Sequence, residues 1–175
     1  MSAELSRTTL GRTGLEVTNL GYGAMEIRGG PRGREVSDED AGAILNAVLD
    51  SGINFIDTSI DYGRSEELIG EYISHRRSEF YLATKCGCAA IPEAAGEHVF
   101  TRENIVAGVE QSLKRMRTNH LDIVQFHSSP SKATLDNEDA IQTLLDLKEQ
   151  GKIRFLGSSS TLPNLADHVE MNVFD

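Results

Sequence analysis

Short apolar runs alternate along this chain with longer amphipathic ones, at a spacing of roughly thirty residues, the size of one βαβ unit. The short runs are Leu20–Met25, Ile53–Ile56, Glu79–Thr84, Leu121–Phe126 and Ile153–Leu156. Between them, apolar residues recur at helical spacing, as in Ile44, Leu45, Val48 and Leu49 or Ile105, Val109, Leu113 and Met116. Such alternation requires parallel strands joined by right-handed helical crossovers. Ahead of the first unit, Thr8–Val17 reads as a hairpin whose turn carries Gly11 and Gly14. Helix starts are expected at Ser37, which with Asp40 resembles a capping box, and at Thr101, Asn137 and Leu162–Pro163. Gly151 should end the helix that carries Ile141, Leu144 and Leu145.

The most densely patterned stretch is Gly52–Gly70. Ile53–Ile56 suits a strand buried on both faces, and Asp57 follows it, where a parallel sheet exposes side chains at strand C-termini. Tyr62 comes five residues later in a turn-forming run. Ser65 is expected to cap a helix, with Glu66 and Glu67 placed against its N-terminal dipole. The order Gly52, Asn54, Phe55, Asp57, Thr58, Ser59, Tyr62, Gly63, followed by Ser65-Glu-Glu-Leu-Ile-Gly70, resembles the first signature of the aldo-keto reductases. That resemblance implies a (β/α)₈ barrel of TIM type and reduction of aldehydes or ketones with NADPH.

The resemblance extends to the strand ends. Lys85 follows Leu82-Ala-Thr84, and His127 follows Leu121–Phe126, so Asp57, Tyr62, Lys85 and His127 match the family's catalytic tetrad in order. In a parallel barrel all four face one mouth. A free tyrosine holds its proton at neutral pH, with a pKa of about 10. A lysine ammonium beside it favours the phenolate and makes the phenol a readier acid. Asp57 would orient that ammonium, and His127 would hydrogen-bond the substrate oxygen. For the cofactor, Gly157-Ser-Ser-Ser160 aligns with the family's Gly-Val-Ser-Asn, which holds the nicotinamide carboxamide. Ser159 matches, whereas Ser160 stands where asparagine is usual and cannot offer both amide functions. Met25 is implied as a neighbour of the nicotinamide. No Gly-x-Gly-x-x-Gly fingerprint follows a strand, which argues against a Rossmann site.

A net charge of −10, with no run of Lys and Arg, argues against nucleic acid or anionic membrane as partners. The N-terminus lacks the apolar core of a signal peptide and no run is long enough to span a bilayer, so a cytoplasmic location is expected. Cys86 and Cys88 have no second pair to complete a zinc site, and the five histidines show no metal-ligand spacing with them. Small-residue packing after a strand, or a redox role, accounts for that pair.

The 175 residues suit one domain, 1–175. A complete barrel of this type takes about 250 residues, so the expectation is about five βα units behind the hairpin, an incomplete barrel truncated on its C-terminal side. Two functions follow: an NADPH-dependent reductase of a small carbonyl substrate, or a non-catalytic remnant that serves as a binding or assembly module. A metal-dependent lyase is a third reading, disfavoured by the absence of clustered ligands along the sequence. Open barrel edges imply possible self-association.

Overall fold

The computed structural model describes residues 5–30, 33–91 and 98–175. The Gly- and Arg-rich stretch 28–34 and the Ala- and Gly-rich stretch 86–100, both read from composition as loops, lie partly outside them, at residues 31–32 and 92–97. The hairpin forms from β1 (Arg7–Leu10) and β2 (Leu15–Thr18), paired antiparallel with Leu10 opposite Leu15. Gly11 and Gly14 turn it at positive φ. Five strands then make one parallel sheet in chain order, β3 (Tyr22–Gly23), β4 (Phe55–Asp57), β5 (Tyr81–Cys86), β6 (Leu121–His127) and β7 (Ile153–Ser159). With the hairpin and the crossover helices this is five strands of an eight-stranded barrel.

The crossovers carry α1 (Asp38–Asp50), α2 (Ser65–Tyr72), α3 (Arg102–Arg115), α4 (Lys132–Asn137), α5 (Ala140–Glu149) and α6 (Asn164–Glu170). Ser37 and Thr101 accept the N–H groups of Asp40 and Asn104, satisfying helix-start donors as expected. Strand alternation sorts the core. Leu82 and Cys86 on β5, Val124 and Phe126 on β6, and Leu156 on β7 meet Leu45, Leu68, Ile69, Ile105, Val109 and Leu144 from the helices. The alternate residues, Lys85, Gln125 and His127, are left for the inner face.

Four local expectations need correction. The first parallel strand is two residues long, because Ala24–Arg28 winds into a 3₁₀ turn that includes Met25. Ser65 is the first helical residue of α2, not its cap: its buried hydroxyl donates to the Ala24 carbonyl at 2.8 Å and meets Thr58 Oγ1 at 2.8 Å. Asn137 ends α4 rather than opening a helix. The start is Ser131, whose side chain accepts from Thr134 N–H, and α5 begins separately after Asp139 in left-handed backbone. Lys85 lies within β5 rather than after it.

Candidate active site

The C-terminal ends of β4, β5, β6 and β7 converge on one mouth. Asp57 is the last residue of β4, and Lys85 stands opposite Gln125 in the register of β5 with β6. The Lys85 ammonium is buried. It donates to Asp57 Oδ2 at 2.7 Å and to the Thr58 carbonyl at 2.8 Å. Asp57 uses its other oxygen to accept the Gln125 amide at 2.7 Å. A buried ammonium needs this degree of satisfaction, since an unpaired charge in the interior costs several kcal/mol.

Gln125 escaped the sequence reading; its signal was only an amide two residues before a strand-end histidine. Gly157, on the next strand, makes room for it, because a Cβ there would come within 2.8 Å of Gln125 Cγ. Above the pair, the Lys85 Nζ stands 5.0 Å from the centre of the Tyr62 ring. The Tyr62 and His127 rings meet edge to face with centroids 6.2 Å apart. Asp57, Tyr62, Lys85 and His127 are therefore assembled at one place.

Burial holds the His127 imidazole below its ordinary pKa, with Asp61 pulling upward and Lys85 and His98 pushing further down. Its Nδ1 lies 3.2 Å from Cys88 Sγ. Burial, followed by the Asp61 carboxylate, pushes the Cys88 thiol up to about 12, so at neutral pH it is a protonated donor. His127 Nδ1 then accepts, and Nε2 carries the ring proton.

The expected cofactor residues separate. Ser159 ends β7 opposite His127 in register, and its hydroxyl has no side-chain partner among the described residues. Ser160 is drawn away: its hydroxyl accepts from Ser158 at 2.8 Å and meets His168 Nδ1 at 3.1 Å. Met25 sits 37% exposed in the 3₁₀ turn at the far side of the sheet.

A second set of polar residues was not foreseen. Asp61, Cys88, His98 and His127 each present a ligand-type atom, all within 4.8 Å of one another. They come from the stretch after β4, the stretch after β5 and the end of β6, so no linear spacing could announce them. Behind the sheet, Glu66 of α2 is buried and accepts from Thr84 at 2.8 Å, Ser112 at 2.7 Å and Arg115 at 3.3 Å.

The aldo/keto reductase family model matches residues 19–173, which take in the whole parallel sheet. The chain belongs to the aldo/keto reductase family. An uncharacterized oxidoreductase of Bacillus subtilis, YqkF, is 31% identical over 164 residues, 92% of this chain and 51% of the relative. The L-galactose dehydrogenase of Arabidopsis thaliana is 34% identical over 157 residues, 85% of this chain and 46% of the relative. Among solved structures, the holo form of the aldo-keto reductase AKR11C1 from Bacillus halodurans superposes with a TM-score of 0.81 at 28% identity. That match covers 94% of this chain and 53% of the other. The chain spans about half the length of the curated relatives it matches. Among the described residues no helix is long and apolar enough to cross a membrane.

Proposed function

We propose that this site serves NADPH-dependent reduction of a small aldehyde or ketone, with Tyr62 as proton donor. The observation that carries the reading is the buried Lys85 ammonium, clamped by Asp57 and the Thr58 carbonyl directly beside the Tyr62 ring. The mouth fits a nicotinamide in part: Ser159 offers a carboxamide a hydroxyl with no side-chain partner among the described residues, while Ser160 is committed to His168 and Met25 stands apart beyond β3. Bound NADPH would supply the hydride.

The chain's own residues do the rest. Tyr62 gives its hydroxyl proton to the carbonyl oxygen as negative charge develops there. The phenolate left behind faces Lys85, whose positive charge is held by Asp57. His127 donates its Nε2–H to the same oxygen, so the developing charge meets two oriented donors. Hydride on carbon and proton on oxygen complete the alcohol. A cytoplasmic location, where NADPH is plentiful, accords with this reading.

A binding or assembly module is the alternative, favoured by the commitment of the Ser160 hydroxyl to Ser158 and His168. An NADPH fluorescence titration, run beside carbonyl-dependent NADPH oxidation, separates the two. It is best done both on the chain itself and on the chain joined to the C-terminal half of a full-length relative. Saturable binding with turnover in the joined protein supports the reductase. Folded protein that neither binds NADPH nor oxidises it supports the module.

A further inference from the structure

We infer that Asp61, Cys88, His98 and His127 form a zinc site beside the tetrad, sharing its histidine. A tetrahedral zinc ion with bonds of about 2.0–2.3 Å needs ligand atoms about 3.3–3.8 Å apart. From His127 Nδ1 the separations are 3.2 Å to Cys88 Sγ, 3.4 Å to His98 Nε2 and 3.7 Å to Asp61 Oδ1. Three edges of the tetrahedron are thus nearly in place without any metal. One thiolate, two imidazoles and one carboxylate form a mixed set of borderline and hard donors, which suits Zn²⁺ over Mg²⁺ or Ca²⁺.

The surroundings hold these ligands in place. Gly87, at φ +90°, turns the chain after β5, so that Cys86 packs into the core while Cys88 reaches the mouth. Val99 N–H donates to the Gly87 carbonyl at 2.8 Å, bringing His98 alongside. Asn104, fully buried at the start of α3, donates to the carbonyls of Cys88 at 3.0 Å and Val99 at 2.7 Å, tying both ligand-bearing segments together. Ser59 donates to Asp61 Oδ1 at 2.5 Å and orients the carboxylate. Metal ligands are usually oriented by outer partners of this kind. Four protein ligands leave no open position, so the ion would be structural or regulatory rather than a water activator. Coordination through Nδ1 leaves His127 Nε2–H directed elsewhere, and the inference holds whether or not the chain reduces carbonyls.

The test is a titration of the untagged, chelator-treated chain with zinc chloride against a chromophoric chelator, repeated with Co²⁺ as a spectroscopic probe. One equivalent of zinc should bind. His98→Ala and Cys88→Ala should each weaken it by more than roughly 100-fold, beyond the loss expected from an orienting neighbour. His75→Ala, remote from the cluster, should bind as wild type. The Co²⁺ form should show the intense visible bands of a tetrahedral site, with a thiolate charge-transfer band that Cys88→Ala abolishes. His98 is exposed, so its variant should keep the wild-type circular dichroism and stand as the decisive one if Cys88→Ala misfolds. Failure to bind one equivalent, unchanged zinc affinity in His98→Ala, or a Co²⁺ spectrum without tetrahedral bands would overturn the inference.

Discussion

At the residue scale, two buried charges dominate, and they ask for different tests. Removing the Lys85 ammonium as Lys85→Met leaves Asp57 with only Gln125 and strips the positive charge from beside Tyr62. In the joined protein, turnover should fall by about 100-fold or more, the lower end of what a positioned proton-transfer group contributes. Wild-type turnover in that variant would disconnect the lysine from the chemistry. Glu66 is the second charge. Glu66→Ala would strand Thr84, Ser112 and Arg115 and should cost roughly 3–5 kcal/mol of stability in urea unfolding, whereas Glu66→Gln keeps an acceptor and should cost less. Burial raises the Glu66 pKa, against the opposing pull of Ser112, Thr84 and Arg115. A carboxyl whose folded pKa lies above its unfolded value stabilises most below the unfolded value, and that contribution is lost as pH rises through the folded one. The stability gap between wild type and Glu66→Gln should therefore shift in favour of glutamine between acid and neutral pH. A gap that is independent of pH would contradict the assigned direction.

At the scale of elements, the tightest constraint is where α2 crosses α3. A Cβ on Gly70 would collide with the Arg115 carbonyl oxygen and approach Met116 Cα at 2.8 Å, and backbone cannot step aside as a side-chain tip can. Alanine gains about 0.5–1 kcal/mol in a helix interior, but overpacking of this kind costs about 1–3 kcal/mol or more. Gly70→Ala should therefore lower the urea midpoint, and a raised midpoint would show that the helices can separate freely. The sequence announces Gly70 only as the last residue of a motif, since its partner lies 45 positions further on. The same limit decides what was legible elsewhere. The hairpin, β4 to β7 and the stripe of α3 follow from local periodicity and turn residues. The 3₁₀ turn at Ala24–Arg28 and the break between α4 and α5 depend on tertiary contacts, and the sequence reading misplaced both. The tetrad was legible because each member sits in its own motif. Gln125, Glu66 and the Asp61–Cys88–His98 cluster were not, because their partners are assembled only by the sheet.

At the scale of the whole molecule, a five-stranded sheet has two edges, β3 and β7. Part of the β7 edge is engaged, since Asp175 donates its N–H to the Leu156 carbonyl at 2.9 Å and accepts the Leu156 N–H on its carboxylate at 3.0 Å. Arg12 fastens that segment from the hairpin side through Asn172 and the Phe174 carbonyl. Among the described residues no further strand pairs with β7, and Leu162 and Val169, which follow it in the chain, are exposed. Open edges and apolar surface favour association, so light scattering on the 175-residue chain should report a mass above the monomer, rising with concentration. A strictly monomeric profile would mean that the tail and the short β3 already suffice to protect the sheet. The central claim is narrower: Tyr62, held beside Lys85 and His127, is the proton donor of a carbonyl reductase. Its most direct test is Tyr62→Phe in the joined protein, read by NADPH fluorescence titration and by steady-state NADPH oxidation with an aldehyde. Turnover should fall by about 10²–10⁴-fold with NADPH affinity nearly unchanged, the pattern of a group that acts only in the chemical step. Turnover close to wild type in that variant would contradict the assignment.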